Sequence, residues 1–212
     1  MKKIKYVIFD WDGTLADTYP TLNKAYAYAF EKIGQPSLTS EEIKKITSTV
    51  QNKDVLSYIY GDQAKEAGKF FYDYIEKNHI ANLQEIKGAR EVLDFCFQNN
   101  LNVFLLTNKT RKYLLEELEH LDFTKYFSKI IAAGDFKKDK PDPMVCEALF
   151  GKNAPDKDEM LVIGDGLSDV KVAQFFGTKI VVYDGRNMRN IQGDYHIDNL
   201  VKAIDIIQGK IL

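Results

Sequence analysis

Five short runs of nearly unbroken Val, Ile, Leu and Phe punctuate the chain, at Lys5–Phe9, Asn102–Leu106, Lys129–Ala132, Met160–Ile163 and Lys179–Tyr183. A strand with one wet face alternates apolar and polar residues. A strand covered on both faces does not, so these runs predict a parallel sheet buried between helical layers. Helical patterns separate the last four: Arg111–Leu121, with Leu114, Leu115, Leu118 and Leu121 on one face, then Pro143–Phe150 and Ser168–Phe176. That rhythm predicts a doubly wound α/β sheet, which binds its ligands at the carboxyl ends of the strands.

The rhythm breaks once, between the first run and the second, where every signal is helical. Thr18 and Pro20 start a helix carrying Leu22, Tyr26, Ala29, Phe30 and Ile33, with Gly34 as its stop. Thr39 and Glu42 have the spacing of a capping box. Further helices fit Asp54–Tyr60 and Gln63–Lys77, and Gly88 opens a helix leading into the second strand. Tyr58, Tyr60, Phe70, Phe71 and Tyr74 fall at helical spacing and read as the core of this insert. The expected organisation is α/β: a Rossmann-like parallel sheet core with helices on both faces, residues 1–15 and 86–212, and an inserted all-α cap over about 16–85. An insert beginning directly after the first strand, near the ligand edge, reads as a lid.

A net charge of −2 over 212 residues provides no bulk field for nucleic acid or an acidic membrane. Any positive charge meant for a phosphate must be held locally, in a site. Cys96 and Cys146 stand in apolar helical contexts and read as free core thiols of a reducing compartment. The apolar run Tyr6–Phe9 is too short for a signal peptide, and no stretch is long enough to span a membrane. The expected location is cytoplasmic.

Four motifs carry chemistry. Asp10-Trp11-Asp12-Gly13-Thr14 closes the first strand with two carboxylates, which repel unless a cation neutralises them or water solvates the turn. Thr107-Asn108-Lys109 follows the second strand, where a hydroxyl can donate to a phosphate or cap a helix. Lys140 precedes Pro141 in a turn that could aim its charge inward or leave it in solvent. Gly164-Asp165-Gly166-Leu167-Ser168-Asp169 follows the fourth strand with two more carboxylates, suited to a hard cation such as Mg²⁺ or to a capped turn. Each motif alone has a structural explanation. All four, however, follow strands and so fall at the single edge where such sheets hold ligands.

In this order the motifs resemble those of the haloacid dehalogenase superfamily of phosphatases, and the likeness spans the chain. Within it, Thr107-Asn108-Lys109 and the closing Asp194–Leu200 are most similar to phosphoglycolate phosphatase-like members. The resemblance implies a small helical cap and a Mg²⁺-dependent phosphohydrolase acting on a small phosphorylated metabolite. It makes Asp10 the nucleophile that becomes phosphorylated and Asp12 the general acid and then base. Mg²⁺ would be held by the Asp10 carboxylate, the Asp12 carbonyl and Asp165, with Asp169 in support. Thr107, Asn108 and Lys140 would bind the transferring phosphoryl group. Lys53, in the cap, is a candidate specificity residue, although the stretch Thr49–Val55 lacks the glycines of the corresponding family loop. Trp11 is larger than the family's usual residue there, and strand alternation predicts that it points away with little effect. A phosphosugar mutase of the same superfamily would share every core residue, and a non-catalytic phospho-ligand-binding regulator would show degraded motifs. Nucleic acid and membranes are not expected partners, and the expected assembly is a monomer or weak homodimer.

Overall fold

Apolar runs that cannot face water on either side are here paired with one another. The computed structural model describes residues 2–50, 54–151, 153–185 and 191–211. Six strands form one parallel sheet: β1 Tyr6–Phe9, β2 Asn102–Thr110, β3 Lys129–Ala133, β4 Met160–Gly164, β5 Lys179–Tyr183 and β6 Tyr195–Ile197, in the order β3-β2-β1-β4-β5-β6. One face carries Ile8, Phe104, Leu106, Ile131, Val162, Ile180 and Val182, covered by Val145, Cys146 and Leu149 of α7 (Pro143–Phe150) and by Val172 and Ala173 of α8 (Leu167–Phe176). The residues between them, Val7, Phe9, Val103, Leu105, Leu161, Ile163 and Val181, alternate to the other face and are equally buried. This double burial explains the lack of polar alternation in the sequence. The α/β, Rossmann-like architecture is as expected.

Strand order decides where a ligand belongs. From β1 the chain builds outward through β2 and β3, then returns to the opposite side of β1 with β4. The order therefore reverses between β1 and β4, and the crevice outside their carboxyl ends is the expected binding place. Phe9 pairs in register with Ile163 on β4, and the Asp10 N–H continues the ladder to the Ile163 carbonyl at 3.0 Å. Asp10 and Asp165 thus leave adjacent strands at nearly the same level.

The chain divides into two compact units, Met1–Asp17 with Gln84–Leu212, and Thr18–Leu83. Among the described residues of the second are the α-helices α1 Tyr19–Lys32, α2 Ser40–Thr49, α3 Val55–Tyr60 and α4 Ala64–Asn78. Aromatic pairs hold it together: Tyr26 with Phe71 and Phe30 with Tyr60, each at 4.7 Å between ring centroids. The Tyr60 hydroxyl donates to the Tyr26 carbonyl at 3.0 Å. The capping box forms as read, with Glu42 N–H donating to Thr39 Oγ1 at 3.2 Å and Thr39 N–H to Glu42 Oε2 at 2.8 Å. Among the described residues no helix is long and apolar enough to cross a membrane.

The structure departs from the expected elements in four places. β2 does not stop at Leu106 but runs on to Thr110, and its register against β3 shifts between those residues. Such irregularities re-aim side chains beside a site. β6 is only three residues long with an exposed centre, too short for a periodic signal. On α6 (Arg111–His120) Leu115 is 45% exposed, and the buried face is instead Leu114, Glu117 and Leu118. Tyr58, expected in the core of the helical unit, is 67% exposed.

Candidate active site

Asp10, Asp165 and Asp169 bring one carboxylate oxygen each to within 4.8 Å of one another, and all three residues are buried. Strand ends supply the first two. The third arrives from the first turn of α8, where its Oδ2 accepts the Gly166 N–H at 2.9 Å and so closes the helix N-terminus. Gly164 makes room for it: a Cβ there would lie 2.2 Å from Asp169 Cγ and 2.4 Å from its Oδ2. Gly164→Ala is accordingly expected to push Asp169 out of its seat and destabilise the fold by about 2 kcal/mol. Denaturant unfolding measures this, and a variant as stable as the parent would show that Asp169 is not held by that approach.

Lys140 brings a cation into this cluster. Its Nζ lies 2.7 Å from Asp10 Oδ1 and 2.7 Å from Asp169 Oδ1, and donates to the Leu106 carbonyl at 2.9 Å. The lysine is buried, and its backbone is tied to β2 by Asn108 Nδ2, which donates to the Lys140 carbonyl at 2.9 Å. Burial alone would lower its pKa, but Asp10 and Asp169 outweigh that and raise it. Burial first, then Asp169 and Asp165, push the Asp10 carboxyl up to about 7 against the pull of Lys140. Three buried carboxylates converge here, and Lys140 touches two of them. A set of convergent oxygens fits a hard divalent cation such as Mg²⁺.

Thr107, Asn108 and Asp12 border this cluster. Thr107 is buried one position beyond Leu106, and its Oγ1 accepts the Lys109 N–H at 3.2 Å. Asn108 Oδ1 is buried with no hydrogen-bond partner among the described residues. The Asp12 carboxylate is not in the three-carboxylate group. It accepts from Lys109 Nζ at 3.0 Å instead, which is compatible with a role for the Asp12 carbonyl, and not its side chain, toward a metal. Lys53 and the centre of the Thr49–Val55 stretch lie outside the described residues.

Sequence reasoning missed Glu117. It is fully buried, taking the Trp11 indole N–H on Oε2 at 2.6 Å and the Lys109 ammonium on Oε1 at 2.8 Å. A charged residue three positions after Leu114 and directly before Leu118, on the buried face of a helix, was the available signal. Trp11 does turn away from the carboxylate cluster, as alternation predicts. It nonetheless connects back to Asp12 through two buried charges.

Residues 7–183 match the haloacid dehalogenase-like hydrolase family. A phosphoglycolate phosphatase of Vibrio parahaemolyticus is 25% identical over 221 residues, covering 96% of each chain. A HAD-superfamily hydrolase of subfamily IA from Geobacter sulfurreducens superposes with a TM-score of 0.72 at 24% identity, over 96% of both chains. A haloacid dehalogenase-like family protein from Streptococcus pneumoniae gives a TM-score of 0.80 at 19% identity, covering 98% of this chain and 100% of that one.

Proposed function

This chain belongs to the haloacid dehalogenase-like hydrolases, and on that premise we propose that it is a Mg²⁺-dependent phosphatase that cleaves a small phosphate monoester through an aspartyl-phosphate on Asp10. The observation that carries the reading is the buried trio Asp10, Asp165 and Asp169 at the β1–β4 switch point, with Lys140 set between two of its members. A structural ion pair needs one carboxylate per lysine. Three convergent buried carboxylates, with a lysine touching two of them, suit a site built for a cation and an anionic substrate together.

In this reading an Asp10 oxygen attacks phosphorus, and the bond from phosphorus to the alcohol oxygen breaks as Asp12 delivers a proton to it. Asp12 then takes a proton from water, the water oxygen attacks phosphorus, and the Asp10–phosphorus bond breaks to release phosphate. Lys140, the Thr107 hydroxyl and the backbone N–H of Asn108 hold the phosphoryl oxygens. Because all three Lys140 N–H groups are now spent on Asp10, Asp169 and the Leu106 carbonyl, a phosphoryl oxygen would replace one of these acceptors. The Asp10 carboxylate, the Asp12 carbonyl and Asp165 would hold Mg²⁺, with Asp169 supporting them. Bound there, Mg²⁺ supplies the positive charge that lets a carboxylate approach a phosphate dianion. The likeness to phosphoglycolate phosphatases makes 2-phosphoglycolate the first substrate to test.

Phosphate release from p-nitrophenyl phosphate and 2-phosphoglycolate, with Mg²⁺ and with excess chelator, tests the reading. Full activity of metal-free protein would overturn it. Asp165→Asn removes one anionic ligand and is expected to raise the Mg²⁺ concentration for half-maximal rate by about tenfold or more. Ca²⁺ is expected to inhibit, because its larger and looser coordination disturbs the in-line arrangement. An unchanged Mg²⁺ titration in the variant would remove Asp165 from the ligand set.

A further inference from the structure

A buried charge is expensive to keep, and a buried ion pair seldom adds stability over apolar residues of the same shape. Glu117 and Lys109 are such a pair. Glu117 is fully buried, and the Lys109 side chain is only 9% exposed. Both Glu117 oxygens are engaged, one by the indole of Trp11 at 2.6 Å and one by Lys109 at 2.8 Å. The indole is itself seated edge-on against Phe123, with ring centroids 6.2 Å apart. The carboxylate therefore has a fixed position, and the ammonium it holds has one too. That ammonium reaches Asp12 Oδ1 at 3.0 Å. Asp12 is the least buried of the three charges, with 28% of its side chain exposed. A short carboxylate at a strand end has several rotamers open to it, and proton transfer requires one of them.

We propose that Lys109 and Glu117 are positioning residues for Asp12: Glu117, clamped by Trp11, fixes Lys109, and Lys109 ties down one Asp12 oxygen so that the other is presented to the leaving group and to water. The inference rests on the reading of Asp12 as proton donor and acceptor. It adds residues that neither touch the substrate nor bind the metal. Trp11 accordingly serves as the wall that keeps Glu117 dry and aimed.

Phenyl phosphate and p-nitrophenyl phosphate separate this role from a purely structural one. They share a ring, but the nitro group stabilises the departing phenolate, which then needs little help from an acid. The variant to measure is Lys109→Met with Glu117→Gln, since the lysine change alone strands a buried negative charge. Its kcat/KM is expected to fall about thirtyfold on phenyl phosphate and by less than about threefold on p-nitrophenyl phosphate. Trp11 is the only tryptophan of the chain. A blue, buried-type emission from it shows that the double variant keeps its fold. If the emission reddens, Glu117→Gln carries the test. It is nearly isosteric, still accepts the indole N–H, and should shift the same ratio by about fivefold. Equal losses on both esters, or no loss on either, would overturn the positioning role while leaving the phosphatase reading intact. A parent protein that hydrolyses neither ester with Mg²⁺ would overturn both.

Discussion

Asp10→Asn is expected to release no measurable phosphate, a loss on the order of 10⁴ or more, from a protein at least as stable as the parent in the absence of metal. Both halves of this result come from one local fact. The Asp10 carboxylate is buried beside two others, and burial and those neighbours already push it up to about 7. Replacing it with a neutral amide of the same shape removes a repulsion. The amide oxygen can still accept the Trp11 N–H, which lies 2.7 Å from Asp10 Oδ1. Lys140 keeps Asp169 and the Leu106 carbonyl. What disappears is the anionic oxygen that attacks phosphorus, and an amide is no substitute. Melting temperature in chelator, measured beside phosphate release, should therefore stay level or rise as turnover vanishes, the usual exchange of stability for activity at a charged site. Retention of a tenth of the parent rate would remove Asp10 as nucleophile, and a large fall in melting temperature would show that its charge holds the fold together.

The same cluster shows which parts of the molecule can be read from sequence. Asp10 and Asp165 are legible because carboxylates do not belong at the ends of dry strands without a reason, and the strands themselves are unbroken apolar runs; Asp169 is legible because it follows Asp165 within one Gly-Asp motif. Lys140 is legible only through its company, since a lysine before a proline looks the same in a solvated loop. Glu117 carried only a weak signal, a charge beside the buried face of a helix. Its partner Trp11 is 106 positions away, and helical spacing around Leu114 leaves the exact face open by about one residue. That single-residue ambiguity put Leu115 inside and overlooked Glu117, whereas in the structure Leu115 is exposed. Tyr58 was misread for the same reason: α3 is only six residues long, too short for periodicity to select a face. β6 lacks even that much pattern. Long elements fixed by local burial were readable, and short elements and the Glu117 pairing with Trp11 and Lys109 were not.

Lys140→Met tests the pairing of Lys140 with Asp10 and Asp169 directly, with two effects that Mg²⁺ should separate. Methionine approximates the aliphatic stem, so packing is largely kept and the charge is lost. In chelator the variant leaves Asp10 and Asp169 buried without the lysine they share, and removing one partner of a buried pair costs about 3 kcal/mol. The Leu106 carbonyl also loses the donor now 2.9 Å away. A marked drop in melting temperature is expected. Added Mg²⁺ should recover most of that drop, and raise the melting temperature of the variant further than that of the parent, because Lys140 no longer competes for the oxygens of Asp10 and Asp169. Activity should not return with stability. A phosphoryl group held without the Lys140 donor loses charge stabilisation where it develops, which costs about 10³ in turnover. A variant that regained both melting temperature and rate with Mg²⁺ would make Lys140 a structural counterion only. One whose melting temperature ignored chelator and Mg²⁺ alike would show that the carboxylate trio does not hold a metal. The expected outcome, stability restored and rate still lost, requires Lys140 to neutralise the empty site and to bind the phosphoryl group as well. Its place between Asp10 and Asp169 suits it to both.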